Sequence, residues 1–156
     1  MKKLVAILML ATAIVAPETA FAKDLSITAQ MGPYSGRPAY LAIYVTKPDG
    51  SYDSTLWIAG QKTRFYQDLR NWFRGIAASG ETIDGITGAS VGSGQTLSVN
   101  VTLADALIDA GYQLHVDSAV EDGGYYPNDV VLPLSTASSG KPVSGSGYVQ
   151  SLTVTM

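Results

Sequence analysis

The sequence predicts a mostly β domain: a sandwich of about seven short strands with one amphipathic helix packed on it. Three observations carry that prediction. Short runs rich in β-branched and aromatic residues recur along the chain, and clusters of Gly, Pro, Asp and Ser punctuate them. One segment, residues 63–78, instead spaces its apolar side chains as a helix does.

In chain order, residues 25–31 read as the first strand. Tyr40-Leu41-Ala42-Ile43-Tyr44-Val45-Thr46 is the second and runs into Lys47-Pro48-Asp49-Gly50. In that turn Pro sets φ and Gly accepts a positive one. Ser54-Thr55-Leu56-Trp57-Ile58-Ala59 then returns as the other arm of a hairpin. Within residues 63–78, Phe65, Leu69, Trp72, Phe73 and Ile76 fall at three- and four-residue spacing and make one apolar face. Lys62, Arg64, Asp68, Arg70 and Arg74 populate the remainder, and Gly80 is the expected stop. The face is expected to pack on one side or end of the sandwich, with Trp72 or Phe73 supporting the core. An aromatic stripe stacked on a planar ligand is the sharper alternative. Further strands are expected at residues 96–102, 112–120, 130–134 and 147–156. Glu121-Asp122-Gly123-Gly124 and Ser138-Ser139-Gly140-Lys141-Pro142 separate the last of them. Strands at this spacing suggest a sandwich of immunoglobulin-like type.

The N-terminus predicts export. Met1-Lys2-Lys3 is a short positive segment, residues 4–15 are an apolar run broken only by Thr12, and Ala20-Phe21-Ala22 is a small-x-small cleavage pattern. A run of twelve residues is too short to span a bilayer, which takes about 20. No Cys follows the run to carry a lipid. Residues 1–22 therefore read as a signal peptide and 23–156 as a single β-rich domain, most simply in the bacterial periplasm and without a membrane anchor once cleaved.

The full chain has 10 Lys+Arg and 13 Asp+Glu; without Lys2, Lys3 and Glu18 the balance is 8 against 12, a net charge of −4. That balance argues against nucleic acid and anionic membrane surfaces as partners. With no Cys, the domain has no disulfide framework, no thiolate metal site and no c-type haem attachment. His115 is the only His and sits mid-strand without a second His or Cys, so it reads as a structural or exposed strand residue. Asp49, Asp53, Asp122 and Asp129 are expected in Gly-containing loops that could suggest calcium, but none follows the EF-hand spacing, so they read as solvated turns.

The segment after the helix carries the chemistry. Residues 81–94 form a loop rich in small residues, with hydroxyls, two carboxylates and several glycines, which another molecule can approach closely. No Lys follows Gly94, so the loop is not a nucleotide-binding P-loop. Asp84-Gly85-Ile86-Thr87-Gly88-Ala89-Ser90 resembles the flavinylation motif Asp-x-x-(Ser/Thr)-Gly-Ala-(Ser/Thr). The resemblance implies that an exported FAD:protein FMN transferase joins FMN through its phosphate to Ser90. Asp84, Thr87, Gly88 and Ala89 are then the recognition residues, and Gly and Ala keep the approach to the hydroxyl clear. Ser stands where Thr is the commoner acceptor.

A second resemblance spans most of the exported chain. Residues 34–45, with Arg37-Pro38 before an aromatic-rich strand, are similar to the opening of predicted periplasmic proteins of domain-of-unknown-function family 2271. A Gly-containing turn, an amphipathic helix like residues 65–74 and a Gly-Ala-Thr-type motif follow in that family. Ala110-Gly111-Tyr112 fits the family's second half, whereas Val91-Gly92 stands where it often has Arg-Pro. The resemblance implies a carrier of covalent FMN that exchanges electrons with membrane or periplasmic redox proteins and turns over no substrate of its own. The alternative is a non-redox binding or assembly module in which the Thr-Gly-Ala-Ser loop is structural.

Overall fold

Strand β1 (Ala22–Met31) buries Leu25, Ile27, Ala29 and Met31 and turns the residues between them toward solvent. That two-residue period is what one covered sheet face requires. The computed structural model describes residues 21–156; the expected signal peptide, apart from Phe21 and Ala22, lies outside the described residues. Strand β2 (Ala39–Thr46) is buried at every position, because both of its faces are covered. β3 (Tyr52–Ala59) returns antiparallel to it. The intervening turn forms as its sequence directs, with Gly50 at φ 87° and its N–H donating to the Lys47 carbonyl. Hydrogen bonds from the Ser51 hydroxyl and N–H hold the Asp49 carboxyl below the usual range.

The remaining strands are β4 (Thr87–Gly88), β5 (Thr96–Ala104), β6 (Gln113–Val120), β7 (Tyr125–Pro133), β8 (Val143–Ser144) and β9 (Val149–Thr155). They build a four-stranded sheet in the order β5-β1-β9-β8 and a five-stranded sheet in the order β4-β3-β2-β6-β7. The fold is thus mostly β, a two-sheet sandwich with one α-helix, as the strand pattern predicts. The strands beyond the expected seven, β4 and β8, are two-residue edge pieces that leave no pattern in a sequence. The main core lies between the sheets and includes Leu25, Ile27, Leu41, Ile43, Leu114 and Leu152. A second core covers the outer face of the five-stranded sheet, where Tyr40, Ala42, Tyr44 and Ile58 meet Tyr66, Leu69 and Trp72.

The single helix expected over residues 63–78 is instead two pieces. Thr63–Asp68 is a 3-10 turn, α1 spans Arg70–Ser79, and Leu69 between them sits at φ −82°, ψ 69°, outside the helical basin. A 3-10 turn advances 120° per residue against 100° in an α-helix, so the apolar stripe cannot run straight through the junction. Tyr66 therefore enters the core with Leu69 and Trp72, Phe65 and Ile76 are half-buried, and Phe73 stays 42% exposed. Gly80 ends α1 as expected, at φ 72°, with its N–H on the Ile76 carbonyl. Of the two aromatic residues proposed to support the core, only Trp72 does, with its indole N–H donating to Thr55 Oγ1 at 2.9 Å. Trp72→Ala should cost about 3–5 kcal/mol, and Phe73→Ala under about 1 kcal/mol. Urea melts of the two variants should separate clearly; equal losses would show that the phase shift at Leu69 is absent in solution.

Asp129 also departs from its reading as a solvated turn. It is 2% exposed within β7 and accepts from the N–H groups of Ser146, Gly147 and Val149 and from the Ser118 hydroxyl. One carboxylate so ties the five-stranded sheet to the start of β9 in the other. His115 sits mid-strand in β6, half-buried, where its ring nitrogens meet Thr46 Oγ1 at 3.0 Å and Asn128 Oδ1 at 2.8 Å.

Candidate functional site

The loop after α1 is fastened to the sheet at both ends of the Thr87–Ser90 stretch. Ile86 N–H closes a turn on the Ile83 carbonyl at 3.2 Å, with Asp84 exposed at its tip and Gly85 at φ 80°. The Ile86 carbonyl then accepts from Ile58 N–H at 2.9 Å, and the Gly88 carbonyl from Gly60 N–H at 2.7 Å. These bonds lay β4 parallel on the free edge of β3. Ala89 and Ser90 leave the ladder. Val91 rejoins it through a reciprocal pair of bonds with Ala39 of β2, at 2.7 and 2.9 Å. Tyr34 clamps that second anchor, donating its hydroxyl to the Val91 carbonyl at 2.6 Å and accepting from Ala39 N–H at 2.9 Å.

Ser90 thus occupies a short span between two fixed points. It is half-buried, and among the described residues no group hydrogen-bonds its hydroxyl or seals it from solvent. Thr87 and Ala89 are exposed, and Gly88 is half-buried. Thr87, Gly88, Ala89 and Ser90 therefore share one extended segment, while Asp84 stands apart at the preceding turn.

Gly88 has a packing role that its motif does not disclose. A Cβ there would lie 2.6 Å from Cζ2 of Trp57, so the indole occupies the space a side chain would need. The Trp57 N–H is buried and has no hydrogen-bond partner, the single such side-chain atom among the described residues. A buried donor without an acceptor is costly to the fold. Gly88→Ala should force the ring aside, costing about 1–3 kcal/mol and shifting tryptophan emission. An unchanged emission spectrum would show that the contact is slack.

An open groove of about 760 Å³ lies elsewhere. Tyr44, Tyr52, Asn71, Arg74, His115 and Asn128 line it, at the Thr46 end of β2, whereas the Ser90 segment attaches at the Ala39 end. Burial, and then the Asp117 carboxylate, push the Tyr44 hydroxyl far above its ordinary pKa. Burial, and then the bond to Glu81, raise that of Tyr52. Both therefore act as protonated donors, and neither is an accessible base.

A family model described as "Predicted periplasmic protein (DUF2271)" matches residues 22–151. No curated protein and no solved structure matches this chain. Among the described residues no helix is long and apolar enough to cross a membrane.

Proposed function

We propose that this chain, which belongs to the domain-of-unknown-function 2271 family of predicted periplasmic proteins, carries FMN bound covalently through its phosphate to Ser90 and serves as an electron carrier. The observation that supports the reading most is the Ser90 span itself. Its hydroxyl is free, the Gly88 and Ala89 before it are small, and both flanking backbone anchors are made. A transferase needs an acceptor hydroxyl that is held in place yet approachable, and this segment offers one.

The residues present fit the group. Ser90 Oγ forms the new bond to the phosphorus of the FMN half of FAD. The pyrophosphate P–O bond breaks, AMP leaves with the bridging oxygen, and the hydroxyl proton passes to the transferase or to water. The transferase brings the divalent metal, so this chain supplies only the acceptor and its recognition residues Asp84, Thr87, Gly88 and Ala89. Trp57 adds an unpaired indole donor behind Gly88. When bound, FMN supplies one- and two-electron transfer. Covalent attachment retains it in a compartment from which a free cofactor would diffuse away. The partners on this reading are the FAD:protein FMN transferase and membrane or periplasmic redox proteins, and the carrier is residues 23–156 after removal of the leader.

Co-expression with such a transferase tests the reading. The exported protein should begin at Lys23, gain the mass of one FMN less one water, and fluoresce yellow-green in a denaturing gel. A dark protein beside an active transferase would leave the non-redox binding or assembly module in its place.

A further inference from the structure

The Ser90 segment is joined by a series of contacts to a patch of cations that the attachment chemistry does not use. Gly60, bonded to Gly88, leaves room for the Tyr40 ring, which lies where a Cβ would stand. Phe65 meets Tyr40 edge-on, with ring centres 5.7 Å apart. Arg64 lies over Phe65 at 4.8 Å and Lys62 at 6.0 Å. On the other side, Ala39, bonded to Val91, is two residues from Arg37. Arg37 and Lys62 are each two residues from a backbone bond to the segment, a span of at most about 7 Å of chain.

Arg37, Lys62 and Arg64 converge on one carboxylate, Glu121, at 3.6–3.7 Å. The Glu121 side chain is 10% exposed, whereas the three cations are 53–69% exposed. Three positive charges on one negative leave a patch of net charge +2 on an acidic protein. Each exposed pair alone contributes little stability. A largely covered carboxylate gathers solvated cations beside a half-buried ring, and the Arg64 guanidinium lies flat against that ring as its charged outer surface.

We propose that Phe65 and the Arg37–Lys62–Arg64 cluster are the platform on which a flavin ring tethered at Ser90 rests, and that the cluster raises its reduction potential. This rests on the FMN reading. The Arg64 guanidinium, carried on the Phe65 ring, supplies the stacking face. Reduction of an isoalloxazine by two electrons and one proton leaves one negative charge on its pyrimidine edge, and cations beside that edge stabilise the reduced form. An acidic protein is the other anion such a patch fits, and the experiment separates the two.

Protein co-expressed with the transferase is first weighed intact. A wild type without the FMN mass would remove the attachment reading itself. With the mass in place, midpoint potentials are measured by dithionite titration against reference dyes. Lys62→Gln with Arg64→Gln should weaken reduction about tenfold, a fall of about 30 mV for a two-electron couple, and Arg37→Gln should lower it in the same direction. Arg64→Lys, which keeps the charge, should hold the wild-type potential. A potential unmoved by the charge-neutralising variants at full FMN mass would overturn the platform and leave the cations to a protein partner.

Discussion

Asp117→Ala should destabilise the protein by about 3 kcal/mol or more. Asp117 is fully buried in β6, beneath the N-terminus of α1. Its Oδ2 accepts from the N–H of Trp72 at 2.8 Å, and its Oδ1 from the Tyr44 hydroxyl at 3.2 Å and the Asn128 N–H at 2.9 Å. The first N–H groups of a helix have no partner within it, and the residue before α1, Leu69, caps none of them with its side chain. A carboxylate from a neighbouring strand therefore does the capping, and its charge also meets the positive end of the helix dipole. Removing it strands three donors around a small cavity. A loss of this size lowers the melting temperature by about 10 °C in a domain of this length. Asp117→Asn keeps the shape and one acceptor but turns an amide N–H toward a donor, so its melt should fall between the two. An Asp117→Ala protein that melts with the wild type would show that water replaces the carboxylate without cost.

That residue also shows where the sequence stopped being legible. In β6, Leu114 and Val116 alternate with His115 and Asp117, which reads as one covered face and one wet one. The outer face is wet only in sequence. α1 and its 3-10 lead-in lie over part of it, and the cover is a tertiary fact with no local signal. Asp129 escaped for the same reason, since its donors come from Ser118 and from residues 146–149. Local chemistry was readable wherever it was sufficient. The turn from Lys47 to Gly50 and the helix stop at Gly80 each form by nearest-neighbour rules. The break at Leu69 depends instead on packing, because Tyr66 must reach the Gly60 carbonyl while Trp72 reaches Thr55. At the candidate site the contiguous residues from Asp84 to Ser90 were visible as a motif. Trp57 behind Gly88 and the cations on Glu121 were not, since sheet pairing brings them together from distant parts of the chain. Glu121 in particular reads as one more acid in a Gly-rich turn.

Ser90→Ala should abolish covalent flavin altogether while leaving stability within about 0.5 kcal/mol of the wild type. The two halves of that expectation come from one geometry. The hydroxyl has no partner among the described residues, so deleting it removes no hydrogen bond that holds the fold. A phosphoester nevertheless needs that oxygen and nothing else of the side chain. Ser90→Thr keeps the oxygen and should retain or improve labelling, because the flanking anchors at Gly88 and Val91 hold the backbone whichever residue stands between them. Thr87→Ala and Asp84→Ala should reduce labelling without ending it. Both residues are exposed where a transferase would read them, and neither provides the attachment atom. The comparison is in-gel flavin fluorescence and intact mass for equal amounts of each variant after co-expression with the transferase, with thermal melts alongside. An Ser90→Ala protein that keeps the FMN mass would place the bond on another hydroxyl, with Thr87, three residues earlier on the same strip, the first to replace. If labelling fails and the melt collapses with it, Ser90 supports the fold and the free hydroxyl is no longer the reason to assign it the flavin.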